Sequence, residues 1–557
     1  MSQQPRVRKW LLCAALLRII PVMHATSPSL NTPAEDDACY LALKARDARF
    51  DGRFFTAVSS TGIYCRPVCR VRTPKRENCR FFALAAQAES AGYRPCLRCR
   101  PELAPGATPL NGAALGSLQN WSTQDASAIL AQQAARLLDE PALWSDGTPS
   151  IVDLATRLGV SERHVRRIFE THWGVSPLQY LQTRRLLMAK RLLTDTQLPV
   201  TQVAALSGFG SLRRFNASFV EHYRLQPRQL RKNCEPEDGA IAPNTAGFVL
   251  KSAYRPPYDV AAMLGFFATR QIAGMELVDV ERLTLARTLS LTLGKQIYSG
   301  WVQASFEPER CMVVFDICNS LGDVLPLVLA RLRAMLDLDA EPAAINNCMQ
   351  DDFPGSEGLR VPGCADGFEL GVRAILGQQI TVQAARTLGA RLVERWGGEL
   401  PKGPPGVNRL FPTPQVLAQA SGDELGQMGI VRQRQRAIES LAQAVINGDV
   451  VLQPGVDIPA TVAALQALPG IGPWTANYIA MRALRWPDAF VAGDVALQNA
   501  LGVRDAANPQ QAAEAASQRW KPWRSYAVVR AWASLATPRQ ITPHIAPKTP
   551  PTEAKPA

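Results

Sequence analysis

Apolar residues recur at helical spacing twice in the middle of the chain, each time before a turn signal. Residues 151–158 carry apolar side chains on one helical face, and Gly159 and Ser161 follow them. Glycine ends helices in the left-handed conformation, and serine caps the first amide groups of the next helix. Residues 200–206 repeat the pattern before a second turn at 207–209. The two copies predict two helix-turn-helix motifs.

Residues 178–194 lie between the two copies and form an amphipathic pattern long enough for a helix that joins two lobes. In a helix-turn-helix pair the second helices enter successive major grooves, where polar side chains reach base edges and phosphates. The alternative is an ordinary helical bundle with solvated basic faces, which the repeated turn disfavours. The expected DNA contacts are Arg163, Arg166, Arg213 and Asn216.

Helical periodicity is lost in two internal segments, which are predicted linkers, and after about residue 537, where Pro, Thr and Lys dominate. The first thirty residues imitate a signal peptide, but Arg18 interrupts their apolar run. Export would also place the closely spaced cysteines of residues 65–99 in an oxidising compartment, where disulfides form. We therefore expect a disordered N-terminal extension or an overlong start, and a cytoplasmic, nucleoid-associated protein.

The predicted organisation is multidomain α+β. At about 150 residues per domain, 557 residues correspond to three or four domains. The predicted segments are an extension (1–34), a small four-cysteine zinc domain (35–102), a linker (103–125), an all-α double helix-turn-helix domain (126–233), a second linker (234–246), a mixed α/β subdomain (247–355), an all-α helix-hairpin-helix bundle (356–537) and a disordered tail (538–557).

Charge and hydropathy restrict the partners. A net charge of +13 favours an acidic partner such as double-stranded DNA. No apolar run reaches the roughly 20 residues of a membrane-spanning helix, so no membrane partner is expected. The chain is expected to act as a monomer.

Four cysteines provide the strongest chemical signal. Cys65 and Cys69 form one closely spaced pair, and Cys96 and Cys99 form another, which is the spacing of a site that binds one zinc ion. A structural zinc ribbon is the alternative interpretation, but the surrounding positive field suits DNA. The basic residues of this region are Arg53, Arg66, Arg70, Arg72, Lys75, Arg76, Arg80, Arg94, Arg98 and Arg100.

Residues 35–102 resemble the N-terminal domain of the Ada DNA-repair methyltransferases. The resemblance implies that Cys65 accepts the methyl group of a methylphosphotriester in the DNA backbone, while Cys69, Cys96 and Cys99 hold the metal with it. Zinc keeps a thiol deprotonated at neutral pH, and four thiolates on one divalent ion leave a double negative charge. The matching motifs are RDAR (46–49), DGRF (51–54), TGIYCRP (61–67) and RPC (94–96).

Residues 126–233 resemble the AraC-type DNA-binding domains, including the closing residues Phe219, Tyr223 and Pro227. Fused to a methyl-accepting zinc domain, such a module resembles a transcriptional activator of the adaptive response to alkylation. Operator DNA and RNA polymerase are the partners that this resemblance implies.

Residues 468–476 read LPGIGPWTA, a helix-hairpin-helix signature. Its two glycines permit a tight turn whose amides face a phosphate at the start of a helix, so Gly470, Gly472 and Thr475 are candidate DNA contacts. The hairpin alone is only moderately specific, and its carbonyls at 466–471 are a candidate site for a monovalent cation. Asp494 follows about twenty residues later in an apolar setting.

Residues 247–537 resemble the AlkA-type 3-methyladenine DNA glycosylases. The resemblance implies that Asp494 is the catalytic carboxylate, which stabilises the oxocarbenium sugar and assists water. It also implies that Trp474, Tyr478 and Trp532 line a pocket that attracts a flipped, cationic base. The matching motifs are PPYD (256–259), MLGF (263–266), LRVPG (359–363), FE (368–369), VRAILGQQ (372–379) and WKPWRSY (520–526).

Residues that differ from the patterns of related DNA-repair families indicate which reactions this chain performs. Trp474 occupies the position of the lysine in glycosylases that also cut the strand, which implies a monofunctional enzyme. No cysteine follows Cys364 and no Pro-Cys-His-Arg motif occurs, so neither an iron-sulfur cluster nor direct reversal of O6-methylguanine is expected. The residue that fills the gap left by the flipped base is Gln379 or Ile380.

The expected function is therefore a bifunctional alkylation-response protein. It would sense methylphosphotriesters through Cys65, regulate transcription, and excise alkylated bases such as 3-methyladenine through Asp494. The alternative is a DNA-binding transcriptional regulator whose glycosylase half binds lesions without catalysis.

Overall fold

The computed structural model describes residues 33–106, 126–139, 150–232, 247–349, 351–401 and 403–536. The N-terminal extension, most of the first linker, the second linker and the tail predicted from the sequence lie outside these ranges. The zinc unit (33–106) consists of α1 (Pro33–Ala45), β1 (Phe55–Val58), β2 (Ile63–Cys65), β3 (Cys79–Phe82), α2 (Ala85–Ser90) and β4 (Arg94–Pro95).

The four strands of the zinc unit form a sheet in the order β3-β1-β2-β4. Strand β1 is antiparallel to both β2 and β3, whereas β2 and β4 run parallel, with Tyr64 opposite Pro95. Because the parallel pair ends at one edge, the residues that follow β2 and β4 meet there. These residues carry the four predicted zinc ligands.

The activator unit (126–232) is all-α and contains both predicted helix-turn-helix motifs. Its helices are α3 (Ala126–Asp139), α4 (Ile151–Leu158), α5 (Glu162–Trp173), α6 (Pro177–Asp195), α7 (Val200–Leu206), α8 (Leu212–Tyr223) and α9 (Pro227–Lys232). The first motif is α4 and α5, the second is α7 and α8, and α6 joins them over 19 residues.

A five-stranded antiparallel sheet in the order β5-β9-β8-β7-β6 dominates residues 247–349. Strand β9, the second in this order, carries three fully buried side chains at alternate positions, those of Val313, Phe315 and Ile317. Such alternation is expected for a sheet with one packed face. The elements are β5 (Gly247–Ala253), α10 (Val260–Arg270), β6 (Glu276–Asp279), β7 (Thr284–Leu293), β8 (Gln296–Glu307), β9 (Met312–Cys318), α11 (Leu325–Met335) and α12 (Pro342–Met349).

Residues 367–536 form a bundle of ten helices, and the hairpin predicted from the LPGIG motif lies between α18 and α19. The helices are α13 (Gly367–Leu376), α14 (Val382–Trp396), α15 (Pro414–Gln419), α16 (Gly422–Gln427), α17 (Arg432–Asn447), α18 (Ile458–Gln466), α19 (Pro473–Arg482), α20 (Val495–Ala500), α21 (Pro509–Ser517) and α22 (Arg524–Ala536). The predicted multidomain α+β fold class is thus confirmed.

Hydrophobic clusters cross the segment limits predicted from the sequence. One cluster joins Leu192 and Phe215 of the activator unit to Leu250 and Phe315 of the sheet. Such sharing arises because a single sheet face or helix stripe must be covered by another element. The activator unit therefore packs on the five-stranded sheet of residues 247–349 through a common core.

Two further clusters show the same behaviour. Leu84 of the zinc unit packs with Trp173 and Leu181 of the activator unit. Ile345 of α12 belongs to the core of the helical bundle, although it falls within the predicted α/β subdomain. No helix within the described ranges is both long and apolar enough to cross a bilayer.

Candidate functional site

The four predicted zinc ligands meet at the edge where β2 and β4 end. Their sulfur atoms all lie within 4.8 Å of one another. The Cys96 amide donates to the Tyr64 carbonyl at 2.9 Å, and this bond fixes the register between the two cysteine loops. Four thiols at this separation are the donor set of a closed zinc site.

The sulfur atoms also influence one another's protonation. Hydrogen bonds within the cluster lower the pKa of Cys69 to about 7 and also lower the pKa of Cys96. In both cases the hydrogen bond with Cys65 has the largest effect. The pKa of Cys65 is raised, chiefly by the bond to Cys69. Four adjacent sulfurs cannot all carry a negative charge without a cation, and a divalent ion removes that conflict. The residues therefore fit one zinc ion.

Backbone hydrogen bonds reach three of the four sulfurs. The Arg66 amide donates to Cys99 Sγ at 3.3 Å, and backbone hydrogen bonds from Val71 and Cys99 reach Cys69 and Cys96. The largest influences on the Cys65 sulfur are instead the side chains of the other three cysteines. Because amide hydrogen bonds withdraw electron density from a thiolate, those on Cys69, Cys96 and Cys99 weaken these three sulfurs as nucleophiles. Exposure alone would favour Cys99, since Cys65 is only 7% exposed.

The basic residues of the zinc unit differ in how free their charges are. Arg70, Arg72, Arg80 and Arg98 are exposed, as expected for residues that face DNA. Four others pair with carboxylates, so part of their charge is neutralised within the protein. These pairs are Arg53 with Glu341, Arg66 with Asp51, Arg76 with Asp37 and Arg100 with Glu102.

Two of these arginines directly follow zinc ligands and lead to different parts of the protein. Arg66 follows Cys65 and pairs with Asp51. Arg100 follows Cys99 and donates to Asp195 of α6 at 2.6 Å. Glu102 accepts from Arg100 at 2.9 Å and also pairs with Lys190 of α6, and both side chains of that second pair are buried. The zinc site is therefore connected to the long helix of the activator unit.

Local capping places the candidate base-contacting residues of the first helix-turn-helix motif. Gly159 has φ +66°, which ends α4, and the His164 amide donates to the Ser161 hydroxyl at 3.3 Å at the start of α5. Arg163 and Arg166 are exposed on α5. Their positions fit the predicted contacts with DNA.

The second motif follows the same rules. The Arg214 amide donates to the Ser211 hydroxyl at 3.2 Å, which starts α8. Gly208 has φ +80°, and an added Cβ would lie 2.8 Å from Arg185 Nε. Arg213 is exposed, whereas Asn216 is half-buried. The surface therefore offers Arg213 more readily than Asn216.

The hairpin between α18 and α19 presents the start of α19 without a side-chain cap. Gly472 is the N-cap residue, and the first amides of α19 are left for an outside acceptor. Gly470 has φ +80°, a conformation that favours glycine. The hairpin therefore leaves the start of α19 open, and the contact of both glycines with phosphate stays a prediction.

Thr475 has a buried side chain, so the DNA contact predicted at this residue falls to its backbone amide in the first turn of α19. It is 2% exposed, and its hydroxyl accepts a hydrogen bond from Gln378 Nε2 at 2.9 Å. The same nitrogen donates to the Gly470 carbonyl at 2.9 Å. The side chain of Thr475 faces the interior because the hairpin needs this internal link. With the Gly470 carbonyl so engaged, the predicted monovalent cation site stays a prediction.

Asp494 is held from three sides at the start of α20. Its Oδ1 accepts from the Leu497 amide at 2.7 Å and from Trp532 Nε1 at 3.0 Å. Its Oδ2 accepts from Trp474 Nε1 at 3.0 Å. The loop before it is fixed by Gln498, whose Nε2 donates to the Ala492 carbonyl at 2.9 Å. The carboxylate is thus oriented beside the two indoles.

The three predicted pocket aromatics lie together around this carboxylate. Trp474 and Tyr478 stack with centroids 5.2 Å apart and planes 10° apart, and Trp532 lies 6.4 Å from Tyr478. Arg482 donates to the Tyr478 hydroxyl at 2.6 Å. Burial would raise the pKa of Tyr478, but Arg482 and Arg270 together lower it below its usual value. The two guanidinium groups therefore outweigh the effect of burial on this phenol.

Two residues of α10, Phe266 and Arg270, pack beside this aromatic cluster and were not assigned a role from the sequence. The Arg270 guanidinium lies 3.8 Å from the centroid of Phe266, and Arg482 lies 4.8 Å from the same ring. The α/β region therefore contributes side chains to the surroundings of Arg482, which also binds Tyr478. The only sequence signal was the MLGF motif, whose apolar residues are more readily interpreted as core.

The candidate wedge lies in the turn between α13 and α14. Gln379 is exposed with φ +55°, whereas Ile380 is half-buried and packs against the bundle core. The Arg434 side chain binds the neighbouring Gln378 carbonyl. Of the two residues proposed from the sequence, Gln379 is the one that faces solvent.

Four protein-family profiles match the chain in succession. They are the Metal binding domain of Ada over residues 38–102, a Helix-turn-helix domain over 154–233, the AlkA N-terminal domain over 249–366, and the HhH-GPD superfamily base excision DNA repair protein over 372–525.

Three curated proteins resemble different parts of the chain. A Mycobacterium tuberculosis protein named "Probable bifunctional transcriptional activator/DNA repair enzyme AlkA" is 34% identical over 508 residues, which cover 90% of this chain and 97% of that protein. Escherichia coli DNA-3-methyladenine glycosylase 2 is 36% identical over 50% of this chain and 95% of its own length. The Escherichia coli bifunctional transcriptional activator/DNA repair enzyme Ada is 32% identical over 36% of this chain and 50% of its own length.

Proposed function

Because the chain belongs to the family of bifunctional transcriptional activator/DNA repair enzymes of the AlkA type, we propose that it detects DNA methylation and also removes methylated bases. The protein binds one zinc ion and binds DNA, and its C-terminal half is a DNA glycosylase. The finer assignments are 3-methyladenine as a substrate, methyl transfer to Cys65 and an RNA polymerase contact. The observation that carries the proposal is the Asp494 carboxylate held between two indoles beside stacked aromatic rings.

In the proposed excision step, an alkylated purine enters the space beside Trp474 and Tyr478. The electron-rich rings attract its positive charge. Since a cationic base leaves readily, the carboxylate of Asp494 need not protonate it. Instead the carboxylate stabilises the positive charge that develops on the sugar and assists the attacking water. No lysine stands in the hairpin's second helix, α19, which supports a monofunctional enzyme.

The glycosylase assignment is tested by base release from duplexes that contain 3-methyladenine or 7-methylguanine. The wild type should release base, and Asp494→Asn should lose about 100-fold or more in single-turnover rate, the loss seen when one electrostatic stabiliser is removed. Asp505→Asn changes an exposed carboxylate of the same region and should behave as wild type. If the wild type and Asp494→Asn were equally inactive while both bound DNA, the protein would instead be a regulator with a lesion-binding half.

The proposed methyl transfer joins the Cys65 sulfur to the methyl carbon of a methylphosphotriester. The sulfur lone pair forms the S–C bond, the C–O bond breaks, and its electron pair stays on the phosphate as a restored phosphodiester. When bound, zinc supplies a sulfur that is deprotonated at neutral pH. Supporting this assignment, amide hydrogen bonds reach the sulfurs of Cys69, Cys96 and Cys99 and weaken them as nucleophiles. The exposed Arg70, Arg72 and Arg98 can attract the phosphate backbone.

Mass spectrometry tests the methyl acceptor directly. Full-length, zinc-loaded protein is incubated with a duplex that carries a deuterated methylphosphotriester and is then digested. The label should appear once, on Cys65. A label on Cys99 or on Cys79, whose thiol donates to the Lys75 carbonyl outside the cluster, would contradict the assignment.

The activator unit provides the proposed regulatory output. Arg163, Arg166 and Arg213 are exposed on α5 and α8, where side chains reach base edges and phosphates. We propose that methylation of Cys65 reduces the negative charge of the zinc site and promotes operator binding and recruitment of RNA polymerase. Transcription in a purified system should rise with methylated protein and should not rise with Arg213→Ala.

A further inference from the structure

Arg255 lies at the contact between the zinc unit and the glycosylase half. It follows β5, yet its side chain is 0% exposed. On one side its Nε donates to the Asp51 carbonyl at 2.9 Å, and its Nη2 donates to the Gly106 carbonyl. On the other side its Nη1 lies 3.0 Å from Glu341 and donates to the Ala340 carbonyl at 3.1 Å. The guanidinium therefore binds both parts of the protein at once.

Asp51, which Arg255 binds through its carbonyl, also binds Arg66, and Arg66 contacts the cysteine cluster. Asp51 Oδ1 accepts from Arg66 Nε at 2.8 Å, and this ion pair is buried. Arg66 in turn donates to Cys99 twice, from its amide to Sγ at 3.3 Å and from Nη1 to the carbonyl at 3.1 Å. Arg66 is also the residue that follows Cys65. Thus two side chains, those of Arg255 and Arg66, and the intervening Asp51 link the glycosylase half to the methyl-acceptor loop.

The backbone around Asp51 has little room to move. Gly52 has φ +73°, and an added Cβ would lie 2.3 Å from the Pro105 carbonyl oxygen and 3.2 Å from Arg255 Nη2. Arg53 then pairs with Glu341 at 2.8 Å, so this carboxylate holds arginines from both parts of the protein. A displacement of Arg255 would therefore shift the backbone at Asp51.

We propose that Arg255, a residue of the glycosylase half, is a positioning residue for methyl transfer to Cys65. By holding Asp51, and through it Arg66, Arg255 keeps the Cys65 and Cys99 sulfurs in the arrangement that methyl transfer requires. Group transfer is sensitive to such placement, because a shift of about 1 Å in a reacting group can lower a rate about 100-fold. The inference rests on the proposed methyl transfer and adds a residue from outside the zinc unit to it.

The test measures the single-turnover rate of Cys65 methylation by a methylphosphotriester duplex at saturating DNA, with the full-length, zinc-loaded protein. Arg255→Met should lower the rate constant about 10-fold or more, the usual effect of removing a group that orients a metal ligand. Arg255→Lys should recover part of the rate. Arg282→Met removes an arginine that is 83% exposed on the same α/β region and should match the wild type.

Three accompanying measurements separate positioning from loss of structure. Zinc content should stay at one ion per chain, the Kd for the duplex should stay unchanged, and base release by the glycosylase site should stay at the wild-type rate. A fall in DNA affinity with an unchanged rate constant at saturation would overturn the proposal.

Should Arg255→Met fail to fold, Glu341→Gln decides the question, because it keeps the side-chain shape while removing the charge that holds Arg255. Slower methylation in Glu341→Gln supports the proposal, and a wild-type rate overturns it. If the wild type itself places no methyl on Cys65, the proposed methyl transfer fails. If the wild type is methylated and both variants match it, only the role of Arg255 fails.

Discussion

The indole nitrogen of Trp532 donates a hydrogen bond of 3.0 Å to Asp494 Oδ1. Trp532 lies on the last helix and Asp494 begins α20, so two distant segments meet at the carboxylate. Trp532, which the sequence predicted only as a contact of the flipped base, therefore also orients the Asp494 carboxylate.

Trp532→Phe should slow base release because it removes this donor while keeping an aromatic ring. We expect the single-turnover rate to fall about 10-fold, since one preorganised hydrogen bond is lost. Trp523→Phe is a matched control, because the Trp523 indole nitrogen has no partner among the described residues. Equal rates of base release for Trp532→Phe and Trp523→Phe would show that the hydrogen bond from Trp532 to Asp494 does not contribute to catalysis.

The lowered pKa of Tyr478 predicts a rise of glycosylase activity with pH. Burial opposes ionisation, but Arg482 and Arg270 bring the pKa of Tyr478 below 10. As pH rises through that value, the phenol loses its proton and the pocket gains a negative charge, which favours a cationic base. We expect kcat/KM to increase with pH below the value of about 10 at which a tyrosine ordinarily ionises.

Tyr478→Phe should remove this rise, because its ring cannot ionise. The measurement is base release across the pH range, with spontaneous depurination subtracted by using Asp494→Asn. An identical alkaline increase in wild type and Tyr478→Phe would assign the titration to another group.

The two glycines of the hairpin should respond differently to alanine. Gly470 has φ +80°, and an added Cβ would meet Ala437 Cβ at 2.9 Å, so Gly470→Ala should lower the free energy of unfolding of the helical bundle by about 1–2 kcal/mol. Gly472 has φ −88° and nothing within 4 Å of an added Cβ. Gly472→Ala should leave stability unchanged and weaken DNA binding, because the methyl group would occupy the phosphate approach.

Urea denaturation and DNA titration separate these effects. Unchanged stability in Gly470→Ala would contradict the strain argument. Unchanged DNA affinity in Gly472→Ala would contradict the placement of phosphate at the start of α19.

Lys190→Met should destabilise the contact between the activator and zinc units. Lys190 and Glu102 form a buried ion pair, and removing one partner leaves a charge that only Arg100 compensates. Loss of one partner of a buried pair costs about 3 kcal/mol or more. Zinc release during urea denaturation should therefore occur at lower denaturant concentration.

Arg184→Met provides the comparison for that experiment. Arg184 pairs with Asp139 at 2.6 Å, but both side chains are partly exposed. Its loss should cost less than about 1 kcal/mol. A shift in Arg184→Met as large as that in Lys190→Met would mean that burial of the pair is unimportant.

Local signals predicted most of the elements that carry the site. Gly159 and Ser161 fixed the turn of the first helix-turn-helix motif because capping depends on a few neighbouring residues. The spacing of the cysteines likewise predicted their cluster, since zinc geometry demands four close thiols. These features need no information from distant parts of the chain.

Contacts between distant segments could not be predicted in this way. Arg255 stands next to two prolines in the sequence, and its burial depends on Asp51, 204 residues away. Phe266 looked like a core residue because its contact with Arg482 forms only when α10 packs beside the helical bundle. The burial of the Thr475 side chain could not be predicted because the hydrogen bond from Gln378 comes from the turn after α13, nearly a hundred residues earlier in the chain.

The hydrophobic cluster that joins Phe215 to Phe315 bears on how this chain could change during evolution. A fusion of independent modules can be undone by a break in the connecting segment. Here such a break would expose apolar surface on both products, which favours aggregation of each. The activator unit and the glycosylase half would therefore stay on one chain. Selection for either activity would then preserve the other as well.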